Sequence, residues 1–266
     1  MVENHITSLC LTDTEAKMMK TRSDGIVPGY NIETVVDAES HMIALMEVTQ
    51  QQNDVGMLSV MTDKVMDEYG TYPKKASTDA GFYDPVDVKK TEVNTEAFVS
   101  IPKTKRDLDP ITFTYDKDRD EYKCSEGRVL SLLSKGVMKR NRLTDAYKSK
   151  DCSGCPMKDK CTSSKTGRTY YRYYDESEVN CFKLKMKQEE SRHLLSLRRT
   201  IAEHPFGTLK LLMGKIPILL RGREKVQIEF NIYATVYNLK RLIHLEDVQS
   251  LLQRLEGFTW NCLKAA

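Results

Sequence analysis

The sequence contains no run of about 18 consecutive apolar residues, so no segment is hydrophobic enough to cross a membrane as a helix, and no membrane partner is expected. It lacks an N-terminal basic stretch followed by an apolar run and a small-residue cleavage site, which makes the cytoplasm the default location. There is no internal repeat and no low-complexity tract. Charge of neither sign dominates: 41 Lys and Arg stand against 38 Asp and Glu, a formal charge of +3, with 40% hydrophobic residues. That composition excludes a disordered or fibrous chain. The length, 266 residues, fits one large domain or two small ones and is enough to bury a core.

Cysteine is present in an odd number, at positions 10, 124, 152, 155, 161, 181 and 262. Without a secretory leader this argues against a disulfide scaffold. Four of the seven fall between Cys124 and Cys161, a local constellation. The charge is also unevenly placed. Between Lys183 and Lys225 there are eleven basic residues, Lys215 among them, and four acidic ones, a local +7 inside a chain otherwise at −4. A cationic segment of this kind suits a polyanion partner, because neutralising phosphates releases counterions. A solvated helix face explains the same charges.

Residues 1–29 show no period and carry the turn-prone run Arg22-Ser23-Asp24-Gly25 and the pair Pro28-Gly29, predicting a connecting loop. The β-prone runs at 31–36 and 42–49, joined by Asp37 to His41, predict a hairpin. Met57, Val60, Met61 and Val65 recur at helical spacing until Gly70. A short strand to Thr78 should follow, with Asp79 at its end and Gly81 supplying a sharp turn. Residues 84–187 are charged and interrupted, with short β-prone pieces at 97–101 and 111–115, and read as an insertion. Beyond them, Leu194, Leu197 and Ile201 share a helix face that Pro205 kinks or ends; Val226, Phe230, Tyr233 and Tyr237 mark another helix; Leu245, Val248, Leu252 and Leu255 mark a last one. The order is that of an α/β fold with one interrupted unit.

Two carboxylates invite a chemical reading. Asp79 lies where α/β sheets place functional groups, at the carboxyl end of a strand, although a turn-forming Asp is the commoner case. Glu203 lies four residues after Arg199 and seven before Lys210, and the first of these spacings is also that of an ordinary intrahelical ion pair. His204 beside it reads as a packed or capping histidine. The aromatic run Tyr170, Tyr171, Tyr173 and Tyr174, interleaved with Arg168 and Arg172, suits base stacking or an alternating surface strand equally.

In the same order along the chain stand Leu11 to Lys20, Pro28-Gly29-Tyr30-Asn31, Val36-Asp37-Ala38-Glu39, Thr78-Asp79-Ala80-Gly81-Phe82, Asp151-Cys152-Ser153-Gly154-Cys155-Pro156, Glu203 to Lys210, and Leu220-Arg221-Gly222. Taken together these segments resemble the DDE transposases of bacterial insertion sequences, in the subgroup with a cysteine-bearing insert before the final catalytic Glu. The resemblance implies an RNase H-like core at residues 30–83 and 188–243, interrupted by the insert at 84–187, preceded by a connecting segment at 1–29 and followed by a C-terminal helix at 244–266. It implies DNA transposition: carboxylates holding two divalent ions, Mg²⁺ or Mn²⁺, cut and join phosphodiesters. Asp79 corresponds to the second Asp and Glu203 to the final Glu, both as metal ligands. Arg199 and Lys210 match basic members of the family signature and, with Arg198 and Arg221, would contact DNA phosphates. The partners implied are element ends and target DNA and a second copy of the chain as a homodimer, with the nucleoid as the place of action.

Two departures accompany the resemblance. The signature tyrosine, three residues before Arg199, is replaced by Ser196. The first Asp belongs to a core strand upstream of the segment matching residues 11–29, and Asp37 matches the family's hairpin turn instead. The expectation is therefore an incomplete RNase H-like core lacking its first strand, a C-terminal portion inactive alone. A non-catalytic nucleic-acid-binding module derived from a transposase is the alternative, and an unstable product with an open sheet edge a third. Independently of the family, Cys124, Cys152, Cys155 and Cys161 include one Cys-x2-Cys knuckle and suit either a closed structural Zn²⁺ site or reduced structural thiols.

Overall fold

A computed structural model describes residues 9–21, 25–103, 111–139, 141–152, 154–213 and 218–256, without the side chains of 212–213 and 255–256. Lys215, Cys262, Arg22 to Asp24 and the side chain of Leu255, used above, lie outside the described residues. The chain forms two compact units, residues 1–99 with 192–266, and residues 100–191.

The first unit opens with β1 (Lys17–Lys20) and β2 (Ile26–Gly29), antiparallel with Lys17 opposite Gly29. This corrects the loop expected over 1–29. Four-residue strands are too short to show a period, and Pro28 is tolerated because a two-stranded ribbon has outward edges where no amide is needed. The predicted hairpin follows as β3 (Asn31–Val36) and β4 (Ile43–Thr49). Its turn is closed by Asp37, whose Oδ2 accepts the Ser40 N–H and hydroxyl, each at 2.7 Å.

Helix α1 (Met57–Tyr69) buries Met57, Leu58, Met61 and Val65 and ends at Gly70, whose φ of 69° lets its N–H reach the Met66 carbonyl. The start of α1 is satisfied from elsewhere: the buried Asp87, in α2 (Pro85–Thr91), accepts the Leu58 N–H at 2.9 Å and the Ser59 N–H at 3.2 Å. Helix-start amides have no intrahelical acceptor, so this one carboxylate both caps α1 and pins α2 to it. Strand β5 (Lys75–Thr78) pairs in parallel with β6 (Glu96–Val99), with α2 in the crossover. Residues 84–99, which the sequence reading assigned to the insertion, thus belong to the first unit, and the buried run Ala97-Phe98-Val99 is the apolar signature of a parallel strand covered on both faces.

The second unit is an antiparallel meander of β7 (Phe113–Asp116), β8 (Glu121–Cys124), β9 (Val129–Lys139), β10 (Arg142–Lys148) and β11 (Thr169–Tyr173), in the order β11-β10-β9-β8-β7, with α3 (Lys158–Cys161) and α4 (Glu176–Lys185). Tyr122, Leu130 and Tyr147 form a buried cluster with Phe113, Tyr115 and Tyr170 against it, and Ile111, Ala146, Phe182 and Met186 are buried as well. Tyr170, Tyr171 and Tyr173 of the tyrosine run lie in β11, all half-buried, and two of these rings meet the chain's own cations. The Lys139 Nζ lies 3.1 Å from the Tyr171 centroid and the Arg142 guanidinium carbon 4.0 Å from that of Tyr173, while the Arg172 guanidinium carbon lies 4.0 Å from the ring of Tyr115 in β7.

The first unit is completed by α5 (Glu189–Met213), most of which belongs to it, α6 (Arg223–Leu245) and α7 (Val248–Glu256). Pro205 neither ends α5 nor starts a new helix; it lies buried inside one continuous helix. Leu245 closes α6 rather than opening α7. The core joins Ile43, Met46 and Val48 of β4, Leu209 of α5, and Val226, Phe230, Tyr233 and Tyr237 of α6, the four positions that the helical period predicts. The free edge of β4 is covered by α6 in an unusual way. The Gln227 amide accepts the Val48 N–H and donates to the Met46 carbonyl, and the Asn238 amide does the same for both backbone groups of Ile43. These side chains take the place of a neighbouring strand. Among the described residues β3 pairs only with β4 and β5 only with β6, so the single central sheet implied by the resemblance is represented by two separate pairs.

Candidate active site

Asp79 directly follows β5 in extended conformation (φ −83°, ψ −175°) and caps a short 3₁₀ turn at Ala80–Phe82 by accepting the Gly81 N–H at 2.8 Å. A Cβ at Gly81 would stand 3.0 Å from Asp79 Oδ1 and 3.0 Å from Asp54 Oδ2, a tight fit in which the carboxylates would have to give. The two carboxylates therefore flank one glycine. Asp54, in the loop before α1, accepts the Asn31 amide at 2.6 Å, and the same amide donates to Glu33 at 2.9 Å.

Glu33 is the unusual member. It is only 4% exposed, and burial, followed by the negative charges of Asp54 and Asp79, pushes its pKa up to about 8. At neutral pH it is therefore mostly a neutral acid, able to donate to a neighbouring carboxylate. The sequence reading singled out neither Glu33 nor Asp54. A usable signal existed: Asn31 and Glu33 are polar residues two apart in a strand, and so on one face.

Glu203 lies on α5 with Arg198, Arg199 and Lys210; Glu203, Arg199 and Lys210 are exposed, and Arg198 is half-buried with its Nε unpartnered. Arg199 and Glu203 form no ion pair among those of the described residues, so the spacing of four is not used to neutralise both charges. His204 is also exposed, with its Nδ1 2.8 Å from the Tyr237 hydroxyl, which donates to the His41 carbonyl at 2.9 Å. Partial desolvation and the neighbouring Arg241, His41 and Lys240 lower its pKa. Asp37 is held in its hairpin turn.

Segments far apart in sequence meet at the start of α6. Asp13 accepts the Tyr30 hydroxyl at 2.9 Å and the Gly222 N–H at 3.1 Å, and Glu15 accepts the Arg223 N–H at 2.6 Å. Three of the segments that carry the resemblance, around residues 13, 30 and 222, are thereby tied into one structure at a helix N-terminus, where acidic groups are favoured. Arg221, between them, is exposed.

In the second unit Cys124, Cys152, Cys155 and Cys161 all line one cavity. Among the described residues no three His, Cys, Asp or Glu side chains are placed closely enough to hold a metal ion. No helix of the described residues is long and apolar enough to cross a membrane.

With this geometry in hand, comparison with known proteins is informative at one level. Residues 123–243 match the family model of the transposase DDE domain. The match covers less than half of the chain and supports a DDE transposase. It spans the cysteines and all of α5, hence Arg198, Arg199, Glu203 and Lys210, and reaches Arg221 and α6; Asp79 precedes it. No curated protein and no solved structure matches.

Proposed function

We propose that this chain works in DNA transposition as a DDE-type transposase domain with an RNase H-like core, in which Asp79 and Glu203 are the second and third acidic residues of the site. The observation that carries the reading is the family match over α5, where Glu203 stands among exposed cations with its charge unpaired by Arg199. Arg199, Lys210, Arg198 and Arg221 hold DNA phosphates as charged donors, fixing the register of the strand without reading bases. Element ends and target DNA are the partners, paired ends call for two copies of the chain, and the nucleoid is where it acts.

Hard carboxylate oxygens suit Mg²⁺ or Mn²⁺, which in such sites activate the attacking oxygen and stabilise the leaving one. The described residues bring Asp79 beside Asp54 but gather no set of three donors close enough to hold an ion. The described residues supply no third donor beside the two assigned ligands, and with two ligands alone the chain is expected not to transfer strands. The test is incubation of purified chain with DNA covering the flanks of its own coding region. Binding that weakens steeply with salt, without strand transfer, is the expected result. Mg²⁺-dependent cleavage by the chain alone would overturn the ligand count, and salt-insensitive or undetectable DNA binding would overturn the function. Binding of DNA with no Mn²⁺ site at Asp79 or Glu203 would favour a non-catalytic binding module.

A further inference from the structure

The sequence leaves the cysteines of the insert open between a metal site and reduced thiols, and the transposase reading makes no use of them. Their placement is informative. Cys124 ends β8, Cys152 and Cys155 lie in the loop after β10, and Cys161 ends α3, yet all four line one cavity, and all four are half-buried and free of disulfides. By contrast Cys181, on α4, is exposed.

The backbone around each thiol is shaped for ligation. At Cys124 the chain doubles back through Gly127: the Arg128 carbonyl accepts the Cys124 N–H at 2.9 Å, and the Arg128 N–H donates to Cys124 Sγ at 3.3 Å. That hydrogen bond fixes the position of the Cys124 sulfur at the turn. The Cys152–Cys155 loop is closed by the Cys155 N–H on the Cys152 carbonyl at 3.4 Å, and Cys161 is fixed by its N–H on the Met157 carbonyl at 2.9 Å. Gly167, at φ 96°, packs so tightly that a Cβ would come 3.2 Å from Cys152 Sγ and 3.0 Å from the Ser149 carbonyl. Any other residue there would be strained and would crowd the sulfur.

Four thiolates on a divalent ion carry a net charge of about −2; the same cavity is lined by Lys158, by Arg168, which donates to the Cys161 carbonyl, by Arg128, which pairs with Asp151, and by one acid, Glu126. A unit of this size, a five-stranded meander built around the cluster of Tyr122, Leu130 and Tyr147, is also the kind of small unit that gains from a covalent or metal staple.

We propose that Cys124, Cys152, Cys155 and Cys161 form a closed structural zinc site that holds the turn after β8, the loop after β10 and α3 of the second unit together. The thiols as placed do not yet meet at one point; a bound ion draws each sulfur in to about 2.3 Å. The site is structural because all four positions are filled by protein and none is left for water or substrate. The inference does not rest on the transposase reading.

The experiment uses the full chain purified without chelator. Metal analysis should find about one equivalent of zinc, retained in Cys181→Ser and lost in Cys152→Ser/Cys155→Ser. Should the double variant fail to fold, the wild-type chain decides: after zinc is removed and cobalt(II) added, a thiolate-to-cobalt charge-transfer absorption that saturates at about one equivalent is expected. Zinc far below one equivalent with four freely titratable thiols, or cobalt bound without that absorption, would overturn the proposal. DNA binding and cleavage do not enter either readout, so failure here leaves the transposase reading standing, and the reverse.

Discussion

Glu33→Gln should stabilise the first unit, by an amount that grows with pH. In the folded chain the Glu33 carboxyl keeps its proton up to a pKa of about 8, because burial and the charges of Asp54 and Asp79 penalise the anion; in the unfolded chain it ionises near 4.3. Between these values the folded state binds more protons than the unfolded one. The contribution of Glu33 to stability is therefore fully present below about pH 4.3, falls as pH rises, and is exhausted above about 8. Each unit of pH in that window is worth about 1.4 kcal/mol, so at pH 7 the glutamate has lost about 4 kcal/mol that a non-ionising side chain retains. Glutamine fits the site: its carbonyl oxygen can accept the Asn31 amide as Glu33 does at 2.9 Å, and its amide can face Asp54. Urea unfolding of both proteins across pH 5 to 9 in chelator measures the difference. The advantage of the variant should climb from near zero at low pH and level off above about 8. Parallel curves, or a variant less stable at pH 7, would show that Glu33 is ionised in the fold and would refute the account of this cluster.

Three other outcomes follow from particular contacts. Asp87→Ala should cost about 1–3 kcal/mol, since it strands the Leu58 and Ser59 amides at the start of α1, and chemical denaturation would detect it. Arg199→Ala and Lys210→Ala should each lower DNA affinity without changing sequence preference and reduce the salt slope by about 1, read by fluorescence anisotropy across a salt series. Glu229→Ala should destabilise the segment entering α6, because this buried carboxylate accepts the Leu219 and Leu220 amides, each at 3.1 Å, and the Tyr233 hydroxyl at 3.0 Å; hydrogen exchange at residues 219–222 should accelerate while that of β8 stays unchanged.

The elements legible in the sequence are those with a strong local signal. The β3–β4 hairpin, α1 with its Gly70 stop and the buried face of α6 at Val226, Phe230, Tyr233 and Tyr237 follow from periods of two and 3.6. What escaped is non-local or too short. The β1–β2 ribbon has four residues a side and hides a proline. Strands β9 and β10 carry Lys135, Lys139 and Arg142 and leave Leu133 and Met138 exposed, so no clean alternation marks them. Strand β6 was legible as the β-prone piece at 97–101, but its parallel pairing with β5 across a crossover lies outside any local window. At the candidate site, Asp79 was legible from its strand end and glycine turn, whereas Glu33 and Asp54 matter only because Asn31 and Gly81 bring them to Asp79 in space. The family motifs identified residues by order along the chain; the ties from Asp13 and Glu15 to Gly222 and Arg223 give a physical reason why such distant motifs travel together.

The most direct test of the central claim is Mn²⁺ binding by electron paramagnetic resonance, on the wild-type chain and on Asp79→Asn and Glu203→Gln. If Asp79 and Glu203 serve one metal site, each substitution removes the same bound Mn²⁺ signal while far-ultraviolet circular dichroism stays unchanged. Mn²⁺ bound equally by all three proteins would contradict the assignment of these two carboxylates as the metal ligands of a DDE site.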